Sequence, residues 1–263
     1  MMTRKPYVSA SVMGLIVLVC LFAWLIAPGN PTRMEFDALL KAPSAAHLFG
    51  TDQLGRDVFK MVLHGGRVSL FIGALSAAIS AVIAVIYGAV AGLAPRWLDN
   101  ALMRATELVM SVPSILYVVT IQAILGKPTP VSLALVIGIT SWTSIAKIVR
   151  TEVRQIHGSE YILSARLSGA KFGYVLRKHL LPNVLPSVMF MLIYNVSTAI
   201  AAEASLSFLG LGLPPNSASW GALMSTAQDA LLTNSWWLIL IPTTLLVTTL
   251  ICITNIGEWL RRR

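Results

Sequence analysis

Six stretches of this chain carry almost no charge over 18 or more residues: 7–27, 68–93, 105–126, 131–149, 187–209 and 236–256. A helix of about 20 apolar residues crosses the ~30 Å hydrocarbon layer of a bilayer. Only Glu107 and Lys147 touch the edges of these runs, and only Glu203 lies well inside one. A water-exposed fold is excluded, because with 12% charged residues the 263-residue chain has about half the usual charge to cover such a surface. The expected fold is therefore an all-α integral membrane protein with six transmembrane helices. The first run follows Arg4 and Lys5, as in a signal peptide. Ala27-Pro28-Gly29 is a poor cleavage site, however, so the run reads as a retained first span.

The formal charge of +9 is a topology signal. With the N-terminus inside, fourteen of the twenty Lys and Arg residues fall on inner segments: Arg4, Lys5, Arg96, Arg104, Lys147, Arg150, Arg154, Arg166, Lys171, Arg177, Lys178 and Arg261 to Arg263. The positive-inside rule then places both termini in the cytoplasm. The basic residues are split among loops without aromatic interleaving, so a nucleic-acid groove is not expected. Cys20 and Cys252 both lie in apolar runs, which excludes a disulfide scaffold and a cysteine-based zinc site.

Three long segments separate the spans. Residues 1–67 read as the first span plus an outer segment, and residues 68–263 as the permeation core. The outer segment holds Gly50-Thr51-Asp52-Gln53-Leu54-Gly55-Arg56-Asp57. Thr51 or Asp52 suits a helix N-cap. Leu54, Val58, Met61 and Val62 would then share one face, with Arg56, Lys60, His64 and Arg67 opposite. This predicts an interfacial helix feeding the second span. The inner segment 150–186 is basic yet rich in apolar residues, which suits a pair of short helices seeking a groove on another protein. Ser159 would cap the first helix at Glu160, Gly169 would separate the two, and Pro182 would stop the second. In the outer segment 210–235, Trp220, Trp236 and Trp237 suit the headgroup level. Glu203, some 16 residues along its run, would lie roughly 24 Å from the inner end. It would either line the outer part of a pathway or make a structural hydrogen bond, for example to Asn195. No phosphate-binding glycine loop and no dense metal-ligand cluster is present, so no nucleotide, cofactor or metal site is expected on this chain.

The segment EYILSARLSGAKFGYVLRKHLLPN at 160–183 resembles the "EAA" loop of ABC-importer permeases. That pattern is Glu-Ala-Ala, three residues, Gly, nine residues, Ile, one residue, Leu-Pro. Ser164, Ala165, Gly169, Leu181 and Pro182 fall on it. Leu163 stands where the motif has Glu, and His179 stands at its apolar position. Glu160 lies nearly a turn earlier and could supply the missing carboxylate. GTDQLGRD at 50–57 and EASLSFLGLGLPPNSASWG at 203–221 resemble the dipeptide, oligopeptide and nickel permeases, specifically the C-type member of the pair.

The resemblance implies a type I permease with a core like that of the methionine permease. It would sit in a bacterial cytoplasmic membrane, paired with a second homologous permease. Two cytoplasmic ATPases carrying ATP and Mg, and an external substrate-binding protein, would complete the importer. The ATPase-coupling residues implied are Glu160, Leu163, Ser164, Ala165, Arg166, Gly169, Ala170, His179, Leu181 and Pro182. Glu203, Phe208 and Trp220 would sit at the pathway or outer gate. Gly50, Thr51, Asp52, Gly55, Arg56 and Asp57 would form the outer interfacial motif. The competing reading is a secondary transporter or channel working alone, which would call for more intramembrane charge or broken helices.

Overall fold

The computed structural model describes residues 6–157, 181–227, 230 and 233–261, with the side chains of 181–187 left aside. The described chain is helical: α1 (Tyr7–Leu21), α2 (Ala23–Ile26), α3 (Val58–Leu93), α4 (Arg96–Met110), α5 (Ser114–Leu125), α6 (Pro130–Thr140), α7 (Thr143–His157), α8 (Leu181–Phe208), α9 (Trp220–Thr226) and α10 (Trp237–Arg261).

The axis of the fold is α3. Its 36 residues extend roughly 54 Å, longer than a bilayer core is thick. Small residues run along its buried side, among them Gly66, Ser69, Gly73, Ser76, Ala77, Ser80, Ala84, Gly88 and Gly92. In a membrane such residues let helix backbones approach closely. At Gly88, an added Cβ would stand 2.6 Å from the Ala146 carbonyl oxygen, and at Gly92 it would stand 2.8 Å from Val153. Helix α6 meets the middle of α3 in the same way, with Gly138 against Ser76 and Ile79. On another side of α3, Gly73 lies against Ile200 of α8.

Neighbouring helices alternate in direction, which gives the bundle two ends. At one end the α1–α2 terminus meets the start of α3, through the His64 Nε2 contact to the Ala27 carbonyl at 3.1 Å. The start of α10 joins them, as Trp237 Nε1 donates to the Thr51 carbonyl at 3.1 Å. At the opposite end Asn255 of α10 donates to Ser9 of α1 at 3.2 Å.

Of the six expected straight spans, three helices are long and apolar enough to cross: Val58–Leu93, Val188–Phe208 and Trp237–Arg261. Two more crossings are broken. α4 and α5 bend by 81°, and α6 and α7 by 46°, so the count reaches up to five if each bent pair is one span. Helix α1, with 15 residues, is shorter than a full crossing. The run at 105–126 is thus an amphipathic helix, an elbow and a 12-residue apolar helix. The elbow has a local cause: Pro113 lacks an N–H, and it pushes Val112 out of helical conformation. The break at 141–142 is softened by hydroxyls. Ser141 Oγ donates to the Ile137 carbonyl at 2.7 Å, and Thr140 Oγ1 to the Val136 carbonyl at 2.9 Å. Such back-bonds satisfy carbonyls while bending a helix.

Two further boundaries differ from expectation. The second crossing helix begins ten residues earlier than the apolar run at 68–93, because Asp57 caps it at Val58. Pro182 does not stop a helix but sits in the first turn of α8, where its missing N–H costs nothing.

Candidate functional site

The 50–57 motif is a folded knot at the α3 entry rather than an interfacial helix. Asp52 organises it: Oδ1 accepts from the backbone N–H of Leu54 and of Arg56, each at 2.9 Å, while Oδ2 pairs with Arg56 Nε at 2.6 Å. Arg56 is 2% exposed, so it does not belong to a polar face with Lys60 and Arg67. Its Nη1 reaches across to the Pro215 carbonyl at 2.8 Å. Thr51 donates to the Ala38 carbonyl and accepts from the Lys41 N–H. Neither Thr51 nor Asp52 caps a helix. Asp57 does so, accepting from Phe59 and Lys60 N–H groups at 2.9 and 3.2 Å, with His47 Nδ1 3.1 Å from its other oxygen. Gly50 and Gly55 have φ of +73° and +72°. A Cβ on Gly55 would meet the Glu35 carbonyl.

Below the knot lies Glu203, fully buried on α8. Three serine hydroxyls donate to its carboxylate: Ser69 of α3 at 2.9 Å, Ser207 at 3.0 Å and Ser219 at 2.9 Å. Asn195 is not among these partners. Ser219 also accepts from the Ala222 N–H and so caps α9, while Ser207 accepts from the Leu213 N–H. One carboxylate thereby ties α3, α8 and the 209–219 loop together. Trp220 joins the same node. Its backbone N–H donates to Ser69 Oγ at 3.2 Å and its indole to the Val62 carbonyl at 3.0 Å. Trp220 and Trp237 are enclosed by protein instead of lying among headgroups, whereas Trp236 is 53% exposed. Phe208, at the end of α8, stands apart from this node with 39% exposure.

At the other end an ionic clamp joins α4 to α7. Asp99 is fully buried, and its two oxygens take Arg150 Nε at 2.5 Å, Arg150 Nη2 at 2.6 Å and Arg154 Nη1 at 2.5 Å. The sequence counted these arginines only as inner basic charge. The signal available was the i, i+4 spacing of Arg150 and Arg154 together with the isolated Asp99 on a short helix. The hydroxyl partners of Glu203 were likewise missed, since serines spread over 150 residues carry no spacing signal.

Of the residues expected to couple to an ATPase, Glu160, Leu163, Ser164, Ala165, Arg166, Gly169, Ala170 and His179 lie outside the described residues. The backbone of Leu181 and Pro182 opens α8. Helix α7, which carries the clamp, leads directly into that segment.

Residues 84–263 match the family described as "Binding-protein-dependent transport system inner membrane component". The chain belongs to this family. It is a membrane-embedded permease subunit of an ABC importer, in a family of permeases rather than of catalysts. The dipeptide transport system permease protein DppC of Bacillus subtilis is 36% identical over 253 residues, covering 94% of this chain and 79% of the relative. The oligopeptide transport system permease protein OppC of the same organism is 35% identical over 258 residues, covering 98% of this chain and 84% of the relative.

Proposed function

We propose that this permease carries peptides. It would do so as one of two homologous permease subunits lining a shared path in a bacterial cytoplasmic membrane, with both termini in the cytoplasm. The observation that carries the reading is similarity along nearly the whole chain to permeases named for dipeptide and oligopeptide transport. An external binding protein delivers the cargo, and two cytoplasmic ATPase subunits with ATP and Mg supply the energy. The coupling element is 160–182, centred on Gly169, and it moves with the ATPases as they close and open. The spans follow, so the path alternates between the two sides through the differential affinity of the nucleotide states. Glu203 serves this motion as a rigid node that keeps α3, α8 and the α9 entry together. It does not act as a group in the path.

The test is purification of the tagged chain in mild detergent, followed by reconstitution with the proteins that accompany it. A second permease and ATPase subunits should co-purify, and vesicles should accumulate labelled dipeptide or oligopeptide only with ATP and binding protein. Gly169→Trp should insert normally but lose transport-coupled ATP hydrolysis. Uptake by the chain alone without ATP, or normal transport by the Gly169 variant, would overturn the reading.

A further inference from the structure

A cavity of about 530 Å³ opens where both broken helices meet α8. Ser114 begins α5 at its mouth, Ser144 follows the α6–α7 break, and Tyr194, Asn195 and Thr198 line it from α8. Arg261, at the end of α10, lines it as well, with its guanidinium 5.3 Å from the Phe190 ring centre. Asn195 lies 14 residues from Leu181 and 13 from Phe208 in α8, so about 20 Å of helix separates it from either end. The cavity therefore reaches from mid-bilayer depth to the end of the bundle that holds Arg261.

Hydroxyls gathered at this depth are costly against lipid tails, which offer no hydrogen bonds. Asn195 sharpens the point. The residue is 6% exposed and its Oδ1 accepts from Thr198 at 3.1 Å, yet its Nδ2 has no hydrogen-bond partner among the described residues. A buried amide donor left unmade costs on the order of 1–3 kcal/mol, so its retention here calls for an occupant able to accept a hydrogen bond.

We infer that this cavity is the part of the translocation path contributed by this subunit, and that it receives the backbone of a peptide in transit. The inference rests on the peptide-permease reading above. Hydroxyl and amide groups both donate and accept, so they can follow peptide N–H and C=O groups without selecting side chains. Arg261 is the cation of the lining, and no carboxylate stands among the lining residues. This suits passage of a free C-terminal carboxylate and disfavours a bare metal cation. An acyl chain finds no matching chemistry here.

Single cysteines test this in the assembled complex, with Cys20 and Cys252 changed to alanine. Ser144→Cys and Thr198→Cys, both at exposed positions of the cavity, are compared with Ile251→Cys on the exposed surface of α10. A thiol reacts as its thiolate, which forms only where water reaches, so a membrane-impermeant methanethiosulfonate should label the two cavity positions about tenfold faster than Ile251→Cys. Saturating peptide, supplied with binding protein and ATP, should slow that labelling. In complexes that still take up peptide, equal labelling of all three positions, or labelling insensitive to peptide, overturns the inference. So does a Thr198→Cys crosslink to the second permease, which would make the cavity a subunit interface. Failure of the unmutated complex to take up peptide is a separate result, and it rejects the peptide reading itself.

Discussion

Glu203 is a charged side chain enclosed by three hydroxyl donors, and its role follows from that arrangement. Glu203→Gln keeps an acceptor, and serine hydroxyls can rotate to suit it. Glu203→Ala leaves Ser69, Ser207 and Ser219 unsatisfied, at about 1–3 kcal/mol for each group that finds no new partner. In detergent, the alanine variant should therefore melt well below the glutamine variant, and the glutamine variant should keep uptake. Loss of uptake by Glu203→Gln at an unchanged melting temperature would move the carboxylate into the path instead. Gly55 gives a second comparison at this scale. Its Cβ would run into the Glu35 carbonyl, whereas Gly126, also at positive φ, has open space around it. Gly126→Ala should cost only the left-handed backbone penalty of about 1–2 kcal/mol. Gly55→Ala should cost more and should expose the 28–57 segment to protease.

Among the elements, α4 and α7 are joined by charge as well as by packing. Asp99 is buried while Arg150 is 24% and Arg154 40% exposed, so the two arginines share the desolvation unequally. Arg150 makes two of the three bonds, so Arg150→Ala should lower the melting temperature more than Arg154→Ala. Removing both should be worst, because it leaves a buried carboxylate alone, a cost of about 3–5 kcal/mol for an enclosed pair. An equal effect of the two single variants would show that the clamp is not organised as its geometry indicates. A different test applies to the helix crossing at Gly88, where an added Cβ would press on the Ala146 carbonyl and Val149. Gly88→Val should destabilise by roughly 1–3 kcal/mol through overpacking. Ala89, one position along and half-buried, should accept the same change with a smaller loss.

On the scale of the molecule, the two ends of the bundle have different constructions. One end is a polar knot in which Asp52, Arg56, Thr51 and the indole of Trp237 lock the entry of α3 to the start of α10. The opposite end leads from the Asp99 clamp straight into the 158–180 segment. Between them lie the elbow at Pro113, the break at Ser141 and the hydroxyl-lined cavity. A rigid outer end, a driven inner end and hinged crossings between them suit a rocking subunit. Asp52→Ala leaves Arg56 buried without its carboxylate, and it should reduce the amount of folded protein in the membrane more than it changes the rate per assembled complex. Quantitative membrane immunoblots beside uptake would separate the two effects.

The sequence by itself determined the solvent of this protein and its family. Uncharged runs of span length and basic loops follow from the cost of charge in hydrocarbon, and the spacing around Gly169, Leu181 and Pro182 is a local pattern that needs no fold to be seen. It also located the crossings to within a few residues, since apolar length is a one-dimensional quantity. Tertiary structure alone decided which crossings bend, that Arg56 and Asp52 face each other, that Glu203 meets serines 69, 207 and 219, and that Asp99 holds Arg150 and Arg154. Those partners lie up to 134 residues apart. Nothing local marks a serine as the one that will meet a buried carboxylate. The choice is made by which small residues on α3 let a neighbouring backbone come close enough for the hydrogen bond to form.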